Sequence, residues 1–235
     1  IHKFIIPQYT LFIKKKIRMG KIFTAMGLMS GTSLDGVDVS IIESDGKREF
    51  LSIFDRYFAY ESQLVEKILN IREKITNFER LNKYSDEVKN LEREITLFNV
   101  QAIKETLEAS KSSVDLIGFH GQTIFHDPEK KVTKQLGDGK LLSQLIKKKV
   151  IYNFRQNDLE NGGQGAPLTP IFHNALANKL NDKFRLEFPI NFLNIGGIAN
   201  ITSTINWENW DHIEKIFAYD IGPGNCMIDE WIRKN

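Results

Sequence analysis

Apolar positions come in short runs separated by glycine-rich turns at both ends of the chain, with helical periodicity between. From Ile22 to Ser44 the sequence IFTAMGLMSGTSLDGVDVSIIES places two β-prone runs around a turn of Gly, Ser and Asp, the pattern of a hairpin. Between Glu61 and Leu81, Leu64, Ile68, Ile71, Ile75 and Phe78 recur at three- and four-residue steps, which predicts one helix with an apolar face. A second helix carries Val88, Leu91, Ile95, Phe98 and Leu107. Their opposite faces are charged, so the stripes are explained by packing against a sheet or each other. The run VDLIGFHG predicts a buried strand that enters a loop; a polar segment, a helix over GDGKLLSQLIKKK and the strand VIYNF follow. Arg155 to Pro170 is expected to be one long loop, succeeded by a helix from Ile171 to Leu180. After a boundary at Asn181 to Pro189, NFLNIGGIANITSTI repeats the opening design of apolar run, glycine turn and apolar run. Last come a strand ending at Asp220 and a helix around Met227 to Ile232.

Strands that alternate with helices make the class α/β, with hairpins supplying antiparallel neighbours and helical crossovers supplying parallel ones. A first unit is expected over 19–187 and a second over 188–235, the second too poor in apolar residues to bury a core alone. Ile1 to Arg18 is expected to be a leader foreign to the fold, with Met19 as the start, because its basic cluster follows its apolar residues, the reverse of a secretory signal.

Of 235 residues, 41% are hydrophobic and 26% charged, ordinary for a globular protein, and the net charge of +2 gives no footprint for nucleic acid or a membrane surface. The one cysteine, Cys226, excludes an internal disulfide and a thiolate zinc site, which fits a cytoplasmic setting. No apolar stretch approaches the roughly 18 residues that a membrane span needs.

Candidate chemistry lies in the turns. The loop Gly31, Thr32, Ser33, Leu34, Asp35, Gly36, Val37, Asp38 concentrates amides, hydroxyls and carboxylates; its backbone can cradle phosphate oxygens and Asp35 can help hold magnesium, although such a loop also serves simply to reverse the chain. It lacks the lysine of the GxxxxGK[ST] phosphate loop. His120 and Gln122 in GFHGQT follow a strand, where side chains commonly enter a crevice, with His126 nearby; a structural histidine is the alternative. Gly162, Gly163 and Gly165 would let the backbone approach a ligand beside Gln164, Arg155 and Asp158, or form a linker that Pro167 and Pro170 stiffen. Asp220, at a strand end before a Gly-Pro-Gly turn, suits a general base or a helix cap. Trp207, Trp210 and Trp231 are read as packing residues, and Lys147 to Lys149 as a solvated helix end.

The ordered set MSGTSLDGVD, GFHGQT, FR with GGQGAPLTPIFH, LNIGGIAN and YDIGPGN with IDEW resembles the signature of the anhydro-N-acetylmuramic acid kinases, from about Met19 to the last residue. The resemblance implies an actin-like, ribonuclease H-like mixed sheet with flanking helices, a complete first lobe and a truncated second one. It also implies cleavage of the 1,6-anhydro bond of anhydro-N-acetylmuramic acid and phosphorylation of O6 with ATP and Mg2+, in peptidoglycan recycling. By motif, Asp220 would be the base, Gly31 to Asp38 with Gly196 and Gly197 would bind ATP, and His120, Gln122, Arg155, Gly163, Gln164, Gly222 and Asn225 would bind the sugar. Two departures stand out. Asn153 replaces the aspartate usual in the family's DFR motif, and the chain ends at Asn235, before most of the second lobe. The chain alone is therefore expected to have little or no kinase activity. A separately encoded C-terminal lobe or a homodimer would complete it; the alternatives are a non-catalytic remnant of a split or decaying gene and a generic nucleotide-binding module.

Overall fold

The computed structural model describes residues 21–206 and 215–234; the expectations for Ile1 to Arg18, Met19, Trp207 and Trp210 fall outside them. Strands β1 (Phe23–Met29), β2 (Gly36–Ser44) and β3 (Phe50–Ala59) form an antiparallel meander. β4 (Leu116–Phe119) then pairs parallel to β1, and β7 (Lys149–Tyr152) parallel to β4, giving a mixed sheet in the order β3-β2-β1-β4-β7. The crossover from β3 to β4 runs through α1 (Ser62–Lys74), α2 (Phe78–Lys83) and α3 (Ser85–Ser110). That from β4 to β7 runs through the hairpin β5 (Gln122–Asp127) and β6 (Val132–Leu136) and then α4 (Gly139–Ile146). Met26, Val37, Ile41, Ile117 and Phe119 of the sheet meet Ile68, Ile95 and Ile103 of the helices in one continuous core.

The apolar period of residues 64–78 crosses a break. Ile75 leaves helical geometry, and Asn77 starts α2 by accepting a hydrogen bond from Arg80 N at 2.9 Å, so a local cap divides what periodicity joins. Three elements depart from the expected pattern. β3 mixes apolar and polar residues without the strict alternation of a half-buried strand, and a register shift between Ile41 and Ile42 lets it pair along β2. The polar segment after β4 is the β5–β6 hairpin. The predicted loop from Arg155 to Pro170 is helical in its first part: α5 (Phe154–Glu160) is anchored by the buried Leu159, and no glycine interrupts it before Gly162.

Helix α6 (Pro170–Phe184) joins the two halves. Phe172 packs on Phe50 at 5.0 Å between ring centroids, while His173 stacks on Phe192 and shares a hydrogen bond with Thr202 Oγ1. Asn174 and Asn178 engage the backbone of Ile205 on the same side. The second sheet, β8 (Asn191–Ile195), β9 (Ile198–Ser203) and β10 (Phe217–Pro223), is again an antiparallel meander, in the order β10-β9-β8, followed by α7 (Cys226–Lys234). It repeats the design of β1, β2, β3 and α1. In this sheet Leu193, Tyr219 and Phe217 on the face away from α6, and Met227 and Trp231 of α7, are 56 to 67% exposed. Among the described residues no helix is long and apolar enough to cross a membrane.

Candidate active site

The turn between β1 and β2 is held by its own chemistry and by distant side chains. Leu34 adopts φ 61° and sinks into the core, Val37 is fully buried, and Ser33 Oγ donates to Asp35 Oδ1 at 2.6 Å. Leu34 and Val37 thus offer backbone, not side chain, to any ligand. Gly36 is required sterically, since a Cβ there would run into the Phe58 carbonyl. The Gly31 carbonyl accepts from Gln122 Nε2 at 2.9 Å and the Thr32 carbonyl from Arg72 Nη1 at 3.1 Å; the Asp35 carbonyl accepts from Tyr57 Oη at 2.6 Å and Tyr60 N at 3.0 Å. Arg72, Tyr57 and Tyr60 carried no signal in the sequence, being 22 to 40 residues from the carbonyls they support. Tyr57 also senses the turn electrostatically: burial, then the charges of Asp35 and Asp38, push its phenol up.

The corresponding turn of the second sheet meets this one. A Cβ on Gly197 would lie 2.8 Å from Thr32 Oγ1, so only glycine lets the two turns sit this close. Gly197 and Gly196 in turn accept from the backbone amides of Gly224 and Asn225, which tie the start of α7 to the same corner.

Asp220 pairs across β10 and β9 with Asn200, which pairs with Asn194 of β8, so the three side chains share a face. Thr202 and Phe192 present that face to His173 of α6, and Asp220 is therefore on the side turned toward α6 rather than on the bare apolar side. Past Asp220 the register slips by a bulge, after which Gly222, at φ 145°, still pairs with Ala199 of β9, and Asn225 N donates to the Gly196 carbonyl.

The remaining candidates form a network. Arg155 Nε donates to His120 Nε2 at 2.8 Å, which leaves the imidazole proton on Nδ1, where it is donated to the Gly121 carbonyl at 2.6 Å. Burial, then the Arg155 charge, pushes the His120 pKa down to about 4, so the ring is neutral. Arg155 Nη1 donates to the Gly165 carbonyl at 2.6 Å, while Asp158 Oδ2 accepts from Gly165 N at 2.7 Å. His120, Arg155 and Asp158 are thus joined to the GGQGAP loop. Gly163 packs against the Asp158 carboxylate, which gives it an internal reason to lack a side chain. Gln164 is exposed. His126 is pushed down by partial burial and then by Arg155, and drawn up by the Gln164 backbone, Asp127 and Asp220; the charge of Asp220 therefore reaches the mouth of this network. Gln122 stands apart from it, fully buried beneath the Gly31 turn. Asn153, at φ 63° and exposed, starts α5 without a side-chain cap.

Residues 23–235 match the family model described as anhydro-N-acetylmuramic acid kinase. The chain belongs to that family. It is 52% identical over 217 residues to the anhydro-N-acetylmuramic acid kinase of Pelagibacter ubique (strain HTCC1062), an alignment covering 92% of this chain and 56% of that protein. To the enzyme of the same name from Agrobacterium fabrum (strain C58 / ATCC 33970) it is 40% identical over 220 residues, 91% of this chain and 56% of the relative. The chain thus spans about half the length of these relatives. Within the family its five-stranded mixed sheet and flanking helices are those of an actin-like first lobe.

Proposed function

We propose that residues 19–187 form the first lobe, and 188–235 the opening of the second, of a cytoplasmic enzyme that uses ATP to open 1,6-anhydro-N-acetylmuramic acid and phosphorylate it, yielding N-acetylmuramic acid 6-phosphate and ADP in peptidoglycan recycling. The activity is proposed for the polypeptide that carries both lobes. The relatives' names support a kinase acting on anhydro-N-acetylmuramic acid. The observation that carries it onto this chain is the meeting of the two glycine turns at Thr32 and Gly197, with Asp220 on the α6 side of the adjoining sheet.

In this reading Asp220 takes a proton from a water molecule whose oxygen bonds to the anomeric carbon. The bond from that carbon to O6 breaks, and O6 bonds to the γ-phosphorus as the bond to the ADP oxygen breaks. Amides of the Gly31 to Asp38 turn and of Gly196 and Gly197 bind the phosphates; catalysis is then chiefly positioning and electrostatics. Asp35, an exposed carboxylate in the turn, fits a magnesium ion that arrives with ATP, because Mg2+ commonly needs one or two carboxylates beside the phosphates. Bound there, the ion would neutralise phosphate charge. Gln164, Gly222 and Asn225 face the sugar, with His120 and Arg155 fixing the loop that carries Gln164.

The test is sugar-dependent ADP release by the two-lobed protein. Asp220→Asn is expected to lower kcat by about 10²- to 10⁴-fold, the range for a lost general base, with KM for ATP nearly unchanged. Absence of ADP release by the wild type with the anhydro sugar would sink the proposal. The 235-residue chain alone is expected to be inactive, since its second sheet has three strands and a bare apolar face.

A further inference from the structure

A loop that binds an anion through its amides must keep its carbonyl oxygens out of the way, because a carbonyl pointing at a phosphate repels it. In the Gly31 to Asp38 turn three carbonyls are each drawn aside by a side chain from a different element. Gln122 at the start of β5 takes Gly31, Arg72 of α1 takes Thr32, and Tyr57 of β3 takes Asp35. We infer that Gln122, Arg72 and Tyr57 are positioning residues that turn these carbonyls outward and so leave the amides of the turn facing a phosphate group.

The inference rests on the reading of this turn as a phosphate site and adds to it the residues that shape it. Gln122 was expected on sequence grounds to touch the sugar, and its surroundings assign it differently. It is fully buried, its amide nitrogen is spent on Gly31, and its Oε1 finds no hydrogen-bond partner. A buried amide that leaves one atom unsatisfied carries a desolvation cost that a side chain serving only to fill space would avoid. The donors are also of the right kind: an amide NH2, a guanidinium and a phenol O–H each give a hydrogen to the carbonyl they meet. No backbone carbonyl of the described residues accepts from the Thr32 or Ser33 amide.

The test uses the 235-residue chain, with inorganic tripolyphosphate as the probe and amide signals of the turn as the readout. Tyr57→Phe removes one donor without changing charge at a residue that is 49% exposed, so the fold should survive it. Arg72→Gln and Arg72→Lys separate hydrogen bonding from charge, and Gln122→Leu removes the buried donor. Tyr57→Phe and Gln122→Leu are each expected to weaken tripolyphosphate binding roughly fivefold, the equivalent of about one hydrogen bond. Arg72→Lys should bind nearly as the wild type, and Arg72→Gln more weakly than either. In the absence of the probe, the amide signals of Thr32 and Ser33, which share peptide planes with the Gly31 and Thr32 carbonyls, should shift in the weakened variants, while the melting temperatures of Tyr57→Phe and Arg72→Gln stay close to the wild-type value. Unchanged binding and unchanged amide shifts in Tyr57→Phe and Arg72→Gln would overturn the inference, even should Gln122→Leu fail to fold. If the wild type does not bind the probe at the turn, the phosphate reading falls, and the amide shifts of the ligand-free variants still decide whether these side chains set the turn.

Discussion

Between Arg155 on one side and the Gly121 carbonyl on the other, His120 has no room for a second proton, since Arg155 already donates to Nε2. Its depressed pKa fixes a sign. The unfolded chain, with histidine near 6.5, binds a proton that the folded chain refuses until about pH 4, so the stability is intact above 6.5 and is lost as pH falls through this window. The loss to pH 4.5 is expected to be ~2–3 kcal/mol from this group. Urea denaturation at pH 7.5 and 4.5 checks it: the difference between the two should be markedly smaller in His120→Gln than in the wild type. His126 and His173 are shifted the same way, and comparing the two proteins cancels their share. That a histidine and a glutamine follow the strand was readable from GFHGQT. Their duties were not, because Arg155 and Gly31, which decide them, lie 35 and 91 residues away.

At the scale of elements, Asn153 shows what a local rule can explain. It holds left-handed geometry at the head of α5, where asparagine is the best tolerated residue after glycine. Asparagine at this position therefore keeps the turn intact. Asn153→Ala is expected to cost about 1 kcal/mol and Asn153→Gly close to nothing, as measured by urea unfolding. Asn153→Asp should be nearly neutral, because the side chain is exposed and makes no cap bond. The two glycine hairpins and α3 were legible because period and punctuation agree there. β3 was not legible because its apolar and polar residues do not alternate, nor was the β5–β6 hairpin, whose strands are rich in polar residues. α5 contains neither glycine nor proline, but those that follow it from Gly162 to Pro170 give the whole segment the composition of a loop.

For the whole molecule, the repeated meander was visible in sequence as two similar apolar-glycine-apolar runs, while the exposed apolar face of the second sheet shows only in the structure. A sheet face carrying Leu193, Tyr219 and Phe217 in water favours association. Sedimentation velocity on the isolated chain should show concentration-dependent self-association, which Leu193→Ser with Tyr219→Ser reduces. An unaltered single boundary at all concentrations would contradict this. Added polypeptide that completes the second lobe should suppress it as well.

Position 197 is, finally, a gauge. With hydrogen as its only substituent, it sets the spacing at which the two hairpin tips touch, beside Thr32. Lengthening that substituent stepwise, from methyl to isopropyl, wedges the tips apart in graded increments without adding or removing charge. Any property of the protein that depends on the gap closing should fall off along that series in order of size.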